Sequence, residues 1–229
     1  MQPVILFTMP GSNYLSLNVE CFDEKRDALT FTGDNPVICH PPCRLFGRLY
    51  KSSTAPGCER LLGIFSVLMV QKNGGIVEQP AGSKLWALTN ISRSTTPDKF
   101  NGYIISINQF WFGYPCIKKT DLYVCGCPLN SLPALPLRFD AVQRTIDTSR
   151  SNKKIVTKQQ RSETTTQLAE WLISIARLCS KKIQQPAPPV PALDLCRSCK
   201  NPIDNFDIIR NRCSICGCEI QTWPPPDCV

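Results

Sequence analysis

Apolar residues fall in short runs separated by Gly, Pro, Asn and Asp over the first two thirds of the chain, and at helical spacing later. The short runs predict strands over 4–7, 19–23, 36–39, 75–80, 102–107 and 120–126. Residues 61–71 are apolar nearly all round and suit a buried helix, closed by Lys72-Asn73-Gly74-Gly75, whose Asn and Gly tolerate a left-handed turn. Strand, helix, strand over 36–80 is one βαβ unit with a parallel pair. The runs at 102–107 and 120–126 predict an antiparallel return beside it, joined through an aromatic loop at 109–115. Residues 129–137 read as a proline-punctuated wrapping loop, and 140–158 as a mobile basic loop. In the helix predicted at 168–179, Leu168, Trp171, Leu172, Ile175 and Leu178 share one face, and 164–167 supply polar caps.

This order predicts an α/β fold, a Rossmann-like, mostly parallel sheet over residues 1–183. A proline-rich spacer at 184–192 leads to a separate module at 193–229. There Cys196-x-x-Cys199 is followed after 13 residues by Cys213-x-x-Cys216, a spacing that places four thiolates around one zinc in a zinc ribbon. A module of 37 residues buries too little core to fold alone, so the metal supplies most of its folding free energy. It reads as a docking piece for nucleic acid or protein, or as a zinc-stapled tail.

Composition narrows the setting. A hydrophobic fraction of 42% in 229 residues is ordinary for a globular chain. The net charge of +8 is concentrated between Arg138 and Lys182, where ten Lys/Arg face four Asp/Glu, as suits a polyanionic partner such as nucleic acid or an anionic membrane, or a solvated basic face with no partner. Fourteen cysteines would suit a disulfide framework in a secreted chain, but the first ten residues lack a basic leader and four cysteines follow the metal pattern. We therefore expect a reducing, cytoplasmic compartment. No run of about 18 apolar residues predicts a membrane span.

Three segments carry residue types that one chemistry needs: Pro41-Pro42-Cys43-Arg44, Val77-Glu78-Gln79-Pro80, and the stretch 112–126 containing Cys116, Lys118 and Thr120. A thiolate adds to an electron-poor pyrimidine ring, a carboxyl holds and protonates the ring nitrogen, and a cationic loop pins the adduct. Arg44 and the loop amides are the nearby groups able to lower the Cys43 pKa. His40, the only histidine, lies three positions before Cys43 across Pro-Pro, and reads as a hydrogen-bonded strand residue rather than its partner. A single histidine also argues against a Ser-His-Asp hydrolase. Trp86, Trp111 and Phe112 are of a type that stacks bases, but near strand ends they read as core.

In order and separation these segments resemble the core motifs of the DNA cytosine carbon-5 methyltransferases: a Pro-Cys loop, a Glu-Asn-Val strand end and a Gly-x-Pro-Gln-x-Arg-x-Arg loop. The match is to a reduced, phage-like version. It implies Cys43 as nucleophile, Glu78 as the carboxyl on the cytosine edge, and Lys118 at the first arginine position. Thr120 stands at the second arginine, Cys116 at the glutamine, and Gln79-Pro80 at Asn-Val. The family's S-adenosylmethionine loop maps onto 7–12, with Phe7, Gly11 and Ser12, and Pro41 lies beside the nucleophile. Residues 162–169 resemble the family's last motif, a polar turn entering a helix that flanks the cofactor. Asp23, after the second strand, is placed for a ribose hydroxyl by the general rule for such sheets. Two alternatives stand beside methyl transfer to flipped cytosine: a degenerate relative that binds DNA or protein, and a pyrimidine enzyme acting on free nucleotides with another one-carbon donor.

The terminal module gives the first prediction. The purified chain should carry about one equivalent of zinc by elemental analysis, and a C196S/C199S variant should carry essentially none.

Overall fold

The computed structural model describes residues 1–23, 25–47, 53–55, 57, 59–142, 144–145 and 154–179. The spacer at 184–192 and the proposed zinc ligands Cys196, Cys199, Cys213 and Cys216 lie outside the described residues.

The strands are β1 (Val4–Leu6), β2 (Glu20–Phe22), β3 (Val37–Cys39), β4 (Gly75–Pro80), β5 (Gly102–Asn108) and β6 (Lys119–Cys125). They form one sheet of order β2-β1-β3-β4-β6-β5. Pairs β1–β2, β1–β3 and β3–β4 are parallel, whereas β6 runs antiparallel to both its neighbours. The architecture is therefore a mixed, mostly parallel six-stranded α/β sheet. The helix α1 (Glu59–Asn73) makes the crossover from β3 to β4, as the 36–80 pattern predicts, and extends two residues beyond 61–71 at each end.

Val4–Leu6 and Val37–Cys39 are buried along their whole length, because both faces of the sheet are covered. On one face α1 packs Phe65, Val67, Met69 and Val70 with Leu6, Cys39, Val77 and Tyr123. On the other, α4 (Thr166–Leu178) packs Leu168, Leu172 and Ile175 with Ile5, Ile38, Ile76 and Val124. The predicted face of α4 is the buried one, except that Leu178 is half exposed, and its N-cap is Thr165, whose side chain accepts from the Leu168 amide. Trp86 and Phe112 are core residues, at 1% and 0% exposure.

Two stretches depart from the sequence expectation. A short helix α2 (Leu85–Leu88) follows β4 and buries Leu85 and Trp86; four residues are too few to show a period. Within 140–158, β7 (Arg144–Thr145) and β8 (Lys154–Ile155) pair in parallel, and α3 (Lys158–Ser162) begins with a Thr157–Gln160 capping box. Val156 anchors this region against Tyr114 and Cys116. Among the described residues no helix is long and apolar enough to cross a membrane.

The join between α1 and β4 is the tightest point of the fold. Gly74 and Gly75 have φ of +79° and +126°, and a Cβ on Gly75 would land on the Val37 carbonyl oxygen and 2.7 Å from its nitrogen. Only glycine permits this approach of β4 to β3. A Gly75→Ala change should therefore cost more than about 3 kcal/mol in urea denaturation. Gly82→Ala, at φ +79° with open space around the added Cβ, should cost only the backbone strain of about 1–2 kcal/mol.

Candidate active site at the carboxyl edge of the sheet

The parallel strands β1 to β4 all end at the same edge, and the chain turns outward there into the segments that the sequence marks as chemical. From β1 it runs to β2 on one side, and later to β3 on the other, so the strand order reverses between β1 and β3. Because β6 is reversed, its first residues start where β4 ends, with Thr120 opposite Pro80. The loop from β5 to β6 thus delivers Lys118 to the edge that already holds Cys43 and Glu78. A buried clamp fixes this entry to β6. The carboxylate of Asp121, fully buried, accepts from Arg93 at 2.8 and 3.1 Å, from Ser106 at 2.7 Å and from the Gly82 amide at 3.1 Å. Burial works to raise its pKa, but these partners outweigh it and hold the carboxyl below its ordinary range.

The register pairing Cys39 with Val77 brings the next residues, His40 and Glu78, together on the face that carries α4. Nδ1 of His40 lies 3.2 Å from Oε2 of Glu78, and Nε2 lies 3.0 Å from the Tyr14 hydroxyl. An ionised carboxylate only accepts, so Nδ1 carries the proton toward Glu78. The other oxygen, Oε1, accepts from Nε2 of Gln109 at 3.1 Å, and the same amide donates to the Thr120 hydroxyl at 2.9 Å. Burial works to raise the Glu78 pKa. The hydrogen bond from His40, the charges of Lys118 and His40 and the Thr120 hydroxyl overcome it, leaving the carboxyl below its usual range. Glu78 is therefore an anion at neutral pH. Tyr14 is pushed well above 10 by burial first and then by the Glu78 and Cys21 charges, and stays a phenol.

Cys43 follows the Pro-Pro turn on the exposed rim of this network. Desolvation by surrounding atoms and the Glu78 charge push its thiol up, while Lys118 pulls it down. Arg44, expected to activate it, is instead ion-paired with Glu59 at the start of α1. The loop itself is held by Gln79, whose buried amide donates to the Pro41 carbonyl at 2.9 Å and accepts from Ser83 at 3.1 Å. Pro41 thus anchors the loop that carries Cys43. Lys118 is fixed by its amide, which donates to the Asn108 side chain at 3.1 Å, and its ammonium lies 5.0 Å over the Tyr114 ring. Cys116, buried at 1% exposure, packs with Tyr114 and Val156, and burial pushes its thiol up.

The residues proposed for a cofactor line the neighbouring strand ends. Phe7 follows β1 at φ +64°, a left-handed conformation that costs a bulky residue about 1–3 kcal/mol, and its ring meets Phe65 edge-on. Gly11 has φ +74° with open space where a Cβ would stand. Ser12 leads into the turn that carries Tyr14. Asp23 follows β2, and its Oδ1 accepts from the Lys25 and Arg26 amides at 2.9 and 3.0 Å, which holds the carboxyl low. The Thr8 hydroxyl, in the loop after β1, is buried and faces the Cys21 thiol of β2. The turn before α4 reaches this edge as well: Asn13 donates to the Thr164 carbonyl at 2.7 Å, and Thr165 to that of Phe112 at 2.6 Å.

The structure brings Cys43, Glu78 and Lys118 into one electrostatic group, and sets Phe7, Gly11, Ser12 and Asp23 on the adjoining strand ends of the same edge. Tyr14 and Gln109 are members that sequence reasoning missed, since neither stands in a motif. Among the described residues no cluster of three His, Cys, Asp or Glu is arranged to hold a metal.

The opposed effects of Glu78 and Lys118 on Cys43 have a measurable consequence. Alkylation of Cys43 by iodoacetamide at pH 7, followed by peptide mass spectrometry, should speed up several-fold in E78Q, where the thiol pKa falls. It should slow down in K118M.

No protein-family model, curated protein or solved structure matches this chain, and the chemistry of the edge follows from its own residues and their geometry.

Proposed function

We propose that this chain is a DNA-modifying enzyme of the cytosine carbon-5 methyltransferase type. The observation that carries the reading is the convergence of Cys43, Glu78 and Lys118, from three distant segments, at the carboxyl edge beside the switch point. A solvent-facing thiol beside an ionised carboxylate and a cation is what addition to a pyrimidine ring requires. The Cys43 sulphur forms a bond to carbon 6 of a flipped cytosine, and its proton leaves to solvent. Glu78 holds the ring edge and relays a proton to the ring nitrogen, one that it must first receive because it is itself an anion. Carbon 5 becomes nucleophilic, and once it is methylated its proton leaves to solvent as the thiolate is eliminated. Lys118 offsets the negative charge shared by Cys43 and Glu78.

The residues at the β1 and β2 ends fit S-adenosylmethionine. An ionised Asp23 suits ribose hydroxyls, and the strained Phe7 turn lies in the loop after the adjacent strand β1. When bound, this cofactor supplies the methyl group. Phe7, Gly11, Ser12, Asp23 and Pro41 are the residues assigned to hold it or border it. The excess of basic residues supports DNA as partner. The seven free thiols among the described cysteines are in keeping with a reducing compartment.

One observation favours a catalytically degenerate binder instead. Both Glu78 oxygens already have partners within the chain, and the Cys43 thiol is pushed up. Trapping separates the two. With S-adenosylmethionine present, DNA containing 5-fluorocytosine should give an adduct stable to denaturing electrophoresis. C43A should abolish it, and E78Q should slow it by ~10²-fold. Tight DNA binding without any adduct would sink the enzymatic reading.

A further inference from the structure

We propose that His40 is a positioning and proton-supplying residue that acts through Glu78. This inference rests on the cytosine-addition reading. An ionised Glu78 has no proton of its own to give to a pyrimidine nitrogen. The N–H aimed at it from an ionisable side chain is Nδ1–H of His40, 3.2 Å from Oε2. Gln109 also donates to Glu78, but an amide does not surrender its proton.

The balance of the step is simple. His40 enters the step as the imidazolium. As the Cys43 sulphur bonds to carbon 6, Nδ1 passes its proton to the Glu78 carboxylate, which hands it to the ring nitrogen. His40 is left neutral with its remaining proton on Nε2. When the thiolate is later eliminated, the ring nitrogen returns its proton to Glu78 and then to His40. No proton is gained or lost by the pair over the cycle. Tyr14 lies 3.0 Å from Nε2, and its hydroxyl oxygen accepts the Nε2 proton both before and after the Nδ1 proton is passed on. The carboxylate and imidazole are 16% and 14% exposed, so water exchanges with them poorly and the proton is kept within the pair.

The groups that face this pair come from several elements. Tyr14 stands on one side, with Cys21 of β2 behind it. Lys118 stands on the other, towards Cys43. Of these, Lys118 is the competing proton source, and the test must separate it from His40.

The test is the rate of 5-fluorocytosine adduct formation across pH 5.5–9 for the full chain with S-adenosylmethionine, in wild type, H40Q and K118M. H40Q should be at least ~10-fold slower and should lose rate on the alkaline side at lower pH than wild type. K118M should be slower with the alkaline limb in its wild-type place. A wild-type limb in H40Q, or a displaced limb in K118M alone, overturns the role of His40. An absence of adduct in wild type overturns the underlying cytosine reading instead, and so is distinguishable. A second readout does not depend on H40Q folding. His40 is the only histidine, so imidazole ¹⁵N resonances report it without assignment. Nδ1 should appear as N–H at neutral pH in wild type and lose that preference in E78Q. A bare Nδ1 in wild type would overturn the proposal.

Discussion

The approach of β4 to β3 at Gly75 governs the rest of this molecule. Without a Cβ, the backbone of Gly75 lies against Val37, and the pairing Val37–Gly75, Ile38–Ile76, Cys39–Val77 follows. That register decides what the strands deliver at their ends. Were it slipped by one residue, Glu78 would point to the α1 face and meet Phe65 and Met69 instead of His40. An anion among apolar side chains would be far costlier than one that accepts from an imidazole and an amide. The backbone contact at the start of β4 and the polar network at its end are thus two ends of one alignment.

Packing on both faces of the sheet makes that alignment rigid. Each face has its own apolar cluster, and the chemically useful side chains project at the rim between them. Glu78 emerges where the Ile76 face meets solvent, while Gln79 on the opposite face turns back to hold Pro41. Alternation along β4 therefore sends Glu78 into the polar network with His40 and Gln109, and Gln79 back to the loop that carries Cys43. The reversal of β6 adds a cation to the same rim, and the Asp121 clamp keeps that strand seated.

Much of this was readable in the sequence. Short apolar runs bounded by Gly and Pro mark the buried strands, and the spacing of Leu168, Leu172 and Ile175 marks the face of α4. Cys43 and Glu78 stand at strand ends, where side chains meet at an edge whatever their distance in the chain. His40 was harder. Its distance from Cys43 argues rightly against a thiol–imidazole pair, but its true neighbour, 38 positions on, is set by strand register, which no local pattern encodes. Tyr14 and Gln109 belong to turns whose direction depends on tertiary contacts. Arg44 misleads for the same reason, since α1 offers Glu59 as a nearer carboxylate. The β7–β8 pair has two residues per strand, too short for an alternating signal.

The order in which the faces are covered also bears on how the chain is made. The α1 face is assembled from residues that leave the ribosome early, since its helix lies between two of its strands. The opposite face waits for α4, which ends at Leu178. Until then Ile5, Ile38, Ile76 and Val124 lack the cover of α4, and Asn13 and the Phe112 carbonyl lack the turn at Thr164 and Thr165. A nascent chain halted short of this helix presents a broad apolar surface of the kind chaperones bind. Synthesis of α4 is thus the step at which this face of the sheet is closed, and the edge with Cys43 acquires the wall that α4 and its preceding turn supply.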